Sequence, residues 1–237
     1  MKIKAVFFDA GETLIYRNPS MVTITRRQLA KAGVKIPQKK LAGVISAAAD
    51  EMRPIVERGK MRDSKKWEVY IRSVFKKLRI KNPVLEAKLR LKLKNGTSFK
   101  AFKDAHKTVD YLKSRGIRTG IISNAPAELT NILKRVKLHG KFSHIVISEM
   151  AGVEKPHKQI FQKALKLARA KASQTVYIGD NYIADIYGAK NAGLIPVWIK
   201  RKSKNAEFSF SSVKEDGVRK VSSLSGLIKL LKREGWL

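Results

Sequence analysis

The sequence predicts an α/β fold: a doubly wound, Rossmann-like parallel sheet with a separate helical domain inserted near the start of the chain. Three observations carry that expectation. From Ala101 onward, short apolar β-prone runs alternate with amphipathic helical stretches, a pattern that builds a parallel sheet covered on both faces. Three apolar runs end in Asp9, Ser123 and Asp180, and the carboxyl ends of strands are where open α/β sheets bind ligands. Between Tyr16 and Lys100 the pattern changes to apolar residues at helical spacing with almost no strand signal. The expected division is therefore a core of 1–16 with 101–237 and a helical insertion of 17–100.

The first strand is the apolar run at 3–8, and it ends in the turn Asp9-Ala10-Gly11-Glu12-Thr13-Leu14. Helices are expected over 21–32, 38–58, 64–78 and 83–93, with Pro37 and Pro83 at starts and Gly33 and Gly59 at ends. Trp67, Tyr70, Ile71, Val74 and Phe75 fall at helical spacing and should pack the interior of this insertion. In the second part, helices are expected over 104–114, 127–136, 159–169 and 183–192. Strands are expected over 118–122, 144–147, 175–178 and 195–199. A polar loop at 202–216 and a last helix at 224–233 complete the chain.

Composition narrows the function classes. The 237 residues suffice for a substantial buried core. With no cysteine, disulfides and thiolate metal sites are excluded. No apolar run reaches the length that spans a bilayer, so no membrane association is expected. The first strand starts at once, leaving no room for a signal peptide, and the expected location is cytoplasmic. The net charge is +32. Such a charge gives a self-repelling, solvated surface, and it also steers anionic substrates or attracts nucleic acid. The basic residues are dispersed through the chain, with no RNA-recognition or helix-turn-helix signature, which argues against nucleic acid as the partner. Nothing in the sequence specifies an oligomeric state.

Chemistry-bearing residues cluster in four segments: the turn at Asp9, Ser123-Asn124, Lys155-Pro156 before a helical stretch, and Gly179-Asp180 followed by Asp185. In this order and spacing they resemble the four motifs of the haloacid dehalogenase-like (HAD) hydrolase superfamily, in the form with a helical cap inserted after the first motif. The resemblance implies a magnesium-dependent hydrolase, a phosphatase that acts on a small phosphorylated substrate through an aspartyl-phosphate. It makes Asp9 the nucleophile and places Mg²⁺ on Asp9, the carbonyl of Gly11, Asp180 and Asp185. Asp185 would orient water on the metal or pair with Lys155.

The chemistry fits those residue types. A carboxylate attacking phosphorus needs a cation to screen the phosphate from it, and Mg²⁺ takes carboxylates, carbonyls and water. Lys155 offers positive charge to the phosphoryl group. Ser123, with backbone amides at a helix N-terminus, is expected to form an anion site. Asn124 would help hold that loop, and Thr13 would bond Asp9 or its turn; both join Ser123 and Lys155 as expected substrate-binding residues. The four histidines show no ligand spacing.

One position departs from the family pattern. Most phosphatases of this kind carry an acid-base Asp two residues after the nucleophile, and here that residue is Gly11. General acid-base groups contribute roughly 10²–10⁴ in rate, so a slower enzyme is expected unless Glu12 substitutes. The departure keeps other readings open: a haloacid dehalogenase- or phosphonatase-like hydrolase, or a non-catalytic protein binding a phosphate-containing ligand or RNA. Asp180 and Asp185 argue against a dehalogenase, which needs no metal.

Overall fold

The computed structural model describes residues 2–57, 63–95, 98–201 and 217–237. These divide into two compact units, one over Arg17–Ser98 and one formed by the chain up to Tyr16 together with the residues from Phe99 onward. The second of these holds a six-stranded sheet. Its strands are β1 (Ala5–Phe8), β4 (Arg118–Ser123), β5 (His144–Ile147), β6 (Thr175–Gly179), β7 (Ile195–Ile199) and β8 (Arg219–Val221). They lie in the order β5-β4-β1-β6-β7-β8, and every pairing is parallel.

Burial explains why β1 reads as an unbroken apolar run. All four of its residues are buried, as expected of a strand covered on both faces. Val6 and Phe8 join one apolar cluster and Ala5 and Phe7 the other, the alternation a pleated strand imposes. On the first face lie α5 (Ala105–Ser114), α6 (Leu129–Arg135) and α10 (Leu224–Arg233), which contribute Val109, Leu133 and Leu227 among others. On the second lie α8 (Lys158–Leu167) and α9 (Gly188–Asn191), with Ile160, Phe161 and Ala189. Gly120 in β4 is a packing glycine: a Cβ there would come within 2.2 Å of the Phe7 ring.

The order in which the chain adds strands reverses at β1. β4 and β5 lie on one side, and β6, β7 and β8 on the other. The carboxyl ends of the three middle strands meet at this switch point, where such sheets open a crevice. Register holds them level, with Phe8 opposite both Ile121 and Ile178.

The other unit contains α1 (Met21–Lys31), α2 (Gln38–Glu57), α3 (Asp63–Lys77) and α4 (Pro83–Asn95). Ser20 caps α1 by accepting from the Thr23 amide, and Asn82 caps α4 by accepting from Leu85 at 2.9 Å. Such caps are worth about 1 kcal/mol each. Its core gathers Leu29, Leu41, Ile45, Tyr70, Ile71, Val74, Phe75 and Leu89, and the Tyr70 hydroxyl donates to the Ile45 carbonyl. Of the aromatic group expected inside, the side chain of Trp67 lies outside the described residues, as do Gly59 and the expected loop at 202–216.

Several elements differ from expectation. The chain crosses between the units on two strands, β2 (Ile15–Asn18) and β3 (Ser98–Ala101), which pair as a two-stranded sheet; neither was expected. β8 and the short helix α7 (Ser148–Ala151) were also not foreseen. The helix expected over 183–192 is a π-helical segment, Tyr182–Tyr187, running into α9. The helix after Ser123 starts only at Leu129. Ser123 is thus the last residue of β4 and is followed by a loop that leads into α6.

Candidate active site

Asp9 leaves the end of β1 with its amide still in the ladder, donating to the Ile178 carbonyl at 2.8 Å. Ser123 ends β4 beside it and is buried. Asp180 follows β6 directly and is half-buried. Its carbonyl accepts from the Trp198 indole at 2.8 Å, which fixes the backbone that aims its carboxylate.

Lys155 reaches the same point from the loop between α7 and α8. Its ammonium donates to Asp9 Oδ1 at 2.7 Å, to Asp185 Oδ1 at 2.6 Å and to the Tyr177 hydroxyl at 2.9 Å. The side chain is only 2% exposed. Asn124 holds its backbone from both sides: Oδ1 accepts from the Lys155 amide at 2.7 Å, and Nδ2 donates to the Lys155 carbonyl at 2.8 Å. Both ends of the Asn124 amide therefore serve to place Lys155.

Asp185 projects from the π-helical segment. Its Oδ2 accepts from the Asn181 amide at 2.9 Å, and its Oδ1 accepts from Lys155 and from the Tyr177 hydroxyl. Asn181 caps the segment by accepting from the Ala184 amide. Gly179 has to be glycine here, because a Cβ would sit 2.3 Å from the Asp185 carboxyl carbon.

The turn after Asp9 is held by its backbone. The Thr13 carbonyl accepts from Arg201 Nη2 at 2.8 Å and Nε at 3.2 Å. Arg201 also pairs with Asp104 at 3.0 Å and lies over the Phe102 ring. The Thr13 side chain is fully buried, and its hydroxyl has no hydrogen-bond partner among the described residues. The bond expected from Thr13 to Asp9 or its turn is therefore not among those that the structure makes. Gly11 is exposed, with no atom within 4 Å of where a Cβ would stand. Glu12 sits in the left-handed region at φ 51°.

Electrostatics make the cluster unusual for a protein interior. Asp9, Asp180 and Asp185 each offer an oxygen within 4.8 Å of the others. Burial pushes Asp9 up to about 6, against the Lys155 charge that lowers it and with the Asp185 charge that raises it further. Burial, then the charges of Asp9 and Asp185, hold the Asp180 carboxyl well above the ordinary range. Burial by itself would lower the Lys155 ammonium, yet Asp185 and Asp9 outweigh it and the net shift is upward. With every group ionised, three carboxylates face one ammonium. The surplus of two negative charges matches a divalent cation, and an all-oxygen donor set suits a hard one.

Sequence reasoning identified the residues the structure brings together: Asp9, Ser123, Asn124, Lys155, Asp180 and Asp185. It missed Tyr177, Trp198 and Arg201. The first two lie inside apolar runs and carry no polar pattern of their own. Arg201 is one of 51 basic residues, and spacing does not single it out.

Comparison with known proteins accords with this geometry. A family model described as haloacid dehalogenase-like hydrolase matches residues 3–193. A glyceraldehyde 3-phosphate phosphatase of Pyrococcus furiosus is 40% identical over 131 residues, which is 55% of this chain and 54% of that protein. One of the same name from Methanothermobacter thermautotrophicus is 29% identical over 213 residues, covering 86% of this chain and 89% of its own. Among solved structures, the magnesium-bound HAD-hydrolase YfnB of Bacillus subtilis superposes with a TM-score of 0.76 at 19% identity, covering 98% of this chain and 100% of its own. At that identity the likeness is one of fold.

Proposed function

The chain belongs to the haloacid dehalogenase-like hydrolase family, and on that premise we propose that it is a phosphatase acting on a small phosphorylated metabolite, with Asp9 as nucleophile. The observation that carries the reading is the buried cluster at the strand ends, where one lysine binds two carboxylates and a third stands within metal-sharing distance. A purely structural ion pair has no need of the third. The chain's relatives include proteins named glyceraldehyde 3-phosphate phosphatase, which makes a triose phosphate the first substrate to try. In this reading the helical unit is the cap that contributes to substrate choice.

The chemistry divides among several residues. Lys155 holds Asp9 Oδ1, so Oδ2 is the attacking oxygen. It bonds to phosphorus as the ester oxygen leaves, giving an aspartyl-phosphate on Asp9; water then attacks phosphorus and returns the carboxylate. The Lys155 charge stabilises Asp9 and the negative charge gathering on the phosphoryl group. The Ser123 hydroxyl serves as a donor to a phosphoryl oxygen. Magnesium, when bound to the carboxylates of Asp9 and Asp180 and the Gly11 carbonyl, supplies the charge that lets an anion attack an anion. Asp185, whose oxygens already accept from Lys155, Tyr177 and Asn181, orients the lysine and completes the acidic set. No carboxylate at position 11 protonates the leaving group, which favours esters whose alcohol departs unaided.

The test is phosphate release from a panel of phosphate esters, including glyceraldehyde 3-phosphate and p-nitrophenyl phosphate, with Mg²⁺ and after chelation. A 2-haloacid serves as the contrasting substrate. Release that depends on the metal supports the reading. Halide release without metal, and no phosphate release, replaces it with the dehalogenase reading.

A further inference from the structure

Tyr177 lies in the middle of β6, fully buried, with its ring packed edge-on against Phe161 at 5.2 Å between centroids. Its hydroxyl is within 2.9 Å of the Lys155 ammonium, 3.0 Å of Asp185 Oδ1 and 3.1 Å of the Ile122 carbonyl. A phenol has one proton to give. It therefore accepts from Lys155 and donates to Asp185 or to the carbonyl that immediately precedes Ser123.

Lysine geometry makes this arrangement informative. An ammonium carries three donors and no acceptor, and Lys155 has three acceptors: Asp9 Oδ1, Asp185 Oδ1 and Tyr177 Oη. Each proton is thus directed, and the tyrosine fixes the one that the carboxylates do not. We propose that Tyr177 is a positioning residue, which aims the Lys155 ammonium at Asp9 and ties it to the end of β4, where Ser123 stands. The inference rests on the phosphatase reading for its kinetic consequence and on the structure alone for the hydrogen bond. The bond to the Ile122 carbonyl alone would satisfy a tyrosine that merely fills the core; the contact from the Lys155 ammonium is what goes beyond that.

Tyr177→Phe removes the hydroxyl and keeps the ring. Two readouts separate the cases. In steady-state kinetics on the best phosphate ester, kcat should fall by about tenfold or more while KM stays within about twofold, the signature of an interaction that matters in the transition state and not in ground-state binding. In the holo protein labelled with ¹⁵N-lysine, the Lys155 ammonium resonance, assigned by its loss in Lys155→Arg, should shift and exchange faster with water in Tyr177→Phe. If Tyr177→Phe does not fold, the wild type decides: a Lys155 ammonium resonance protected from exchange with water supports the proposal, and one in fast exchange overturns it. A lower melting temperature with unchanged kcat overturns the proposal, and so does an unmoved ammonium resonance. If the wild type hydrolyses no phosphate ester, the phosphatase reading fails and the ammonium measurement alone decides whether Tyr177 positions Lys155.

Discussion

Gly11 occupies the position where phosphatases of this family carry their acid-base carboxylate, and the structure shows room for one. No atom lies within 4 Å of where a Cβ would stand at Gly11, and its φ is outside the left-handed region. Gly11→Asp should therefore fold and raise kcat on an alkyl phosphate by about tenfold or more, approaching the lower end of the usual general-acid contribution. Parallel kinetics and melting curves check this; a well-folded variant with no gain on alkyl or aryl esters would mean that another group, such as Glu12, already supplies the proton. Asp9→Asn should abolish turnover while leaving the fold intact, since the amide is nearly isosteric but not nucleophilic. Gly179→Ala tests the opposite constraint. Its methyl would overlap the Asp185 carboxyl group, so it should displace Asp185, cost about 1–3 kcal/mol in stability and depress kcat. Stability and kcat both near wild type would show that Asp185 has slack. At this scale the sequence was readable where a residue announced its chemistry. Carboxylates and a Lys-Pro at the ends of apolar runs stood out, whereas Tyr177 and Trp198 had the spacing of core residues and their polar tips were visible only in three dimensions.

Among the elements, the start of α10 and the end of β7 are joined through Asp104. It accepts from Arg201 at 3.0 Å and from the Leu224 amide at 2.8 Å, and Arg201 in turn holds the Thr13 carbonyl. Burial draws the Asp104 carboxyl upward, but the hydrogen bond and charge of Arg201, then the Leu224 amide, outweigh it, and the net shift is downward. A carboxyl depressed on folding contributes stability that is fully present above its unfolded value and lost as pH falls through the folded one. Asp104→Asn should thus lower the melting temperature at neutral pH, and the gap from wild type should narrow as pH falls below the ordinary carboxylate range. A gap that stays constant from about pH 7 to about pH 3 would contradict this linkage. The alternating βα elements were legible because the inner strands β1, β4 and β6 are almost wholly buried and so read as apolar runs. β2 and β3 were not. Tyr16, Arg17 and Asn18 in β2 are only half-buried, and β3 alternates exposed and half-buried residues over just four positions, so neither shows an apolar run. The π-helical segment escaped as well, because no side-chain period in Tyr182–Tyr187 distinguishes it from an α-helix.

For the whole molecule the charge of +32 is the dominant fact. Like charges on a folded chain repel, and salt screens them over a Debye length of about 8 Å at physiological ionic strength. The melting temperature should accordingly rise between low ionic strength and about 0.5 M NaCl; a fall would mean that surface ion pairs outweigh the repulsion. The same field should draw in an anionic substrate, so KM for a phosphate ester should increase with salt while kcat changes little. In the proposed reaction Asp9 attacks phosphorus in a site that lacks an acid-base carboxylate at position 11, and rapid-mixing kinetics with p-nitrophenyl phosphate and Mg²⁺ probe both features together. The phenol of this ester leaves without protonation, whereas the aspartyl-phosphate must await an unassisted water. The expected result is a burst of p-nitrophenol close to one equivalent per site, followed by slow turnover, with phosphate recovered on the Asp9 peptide of acid-quenched wild type and absent from Asp9→Asn. Metal-dependent turnover with no burst and no phosphorylated Asp9, or a burst that survives in Asp9→Asn, would contradict the assignment of Asp9 as nucleophile.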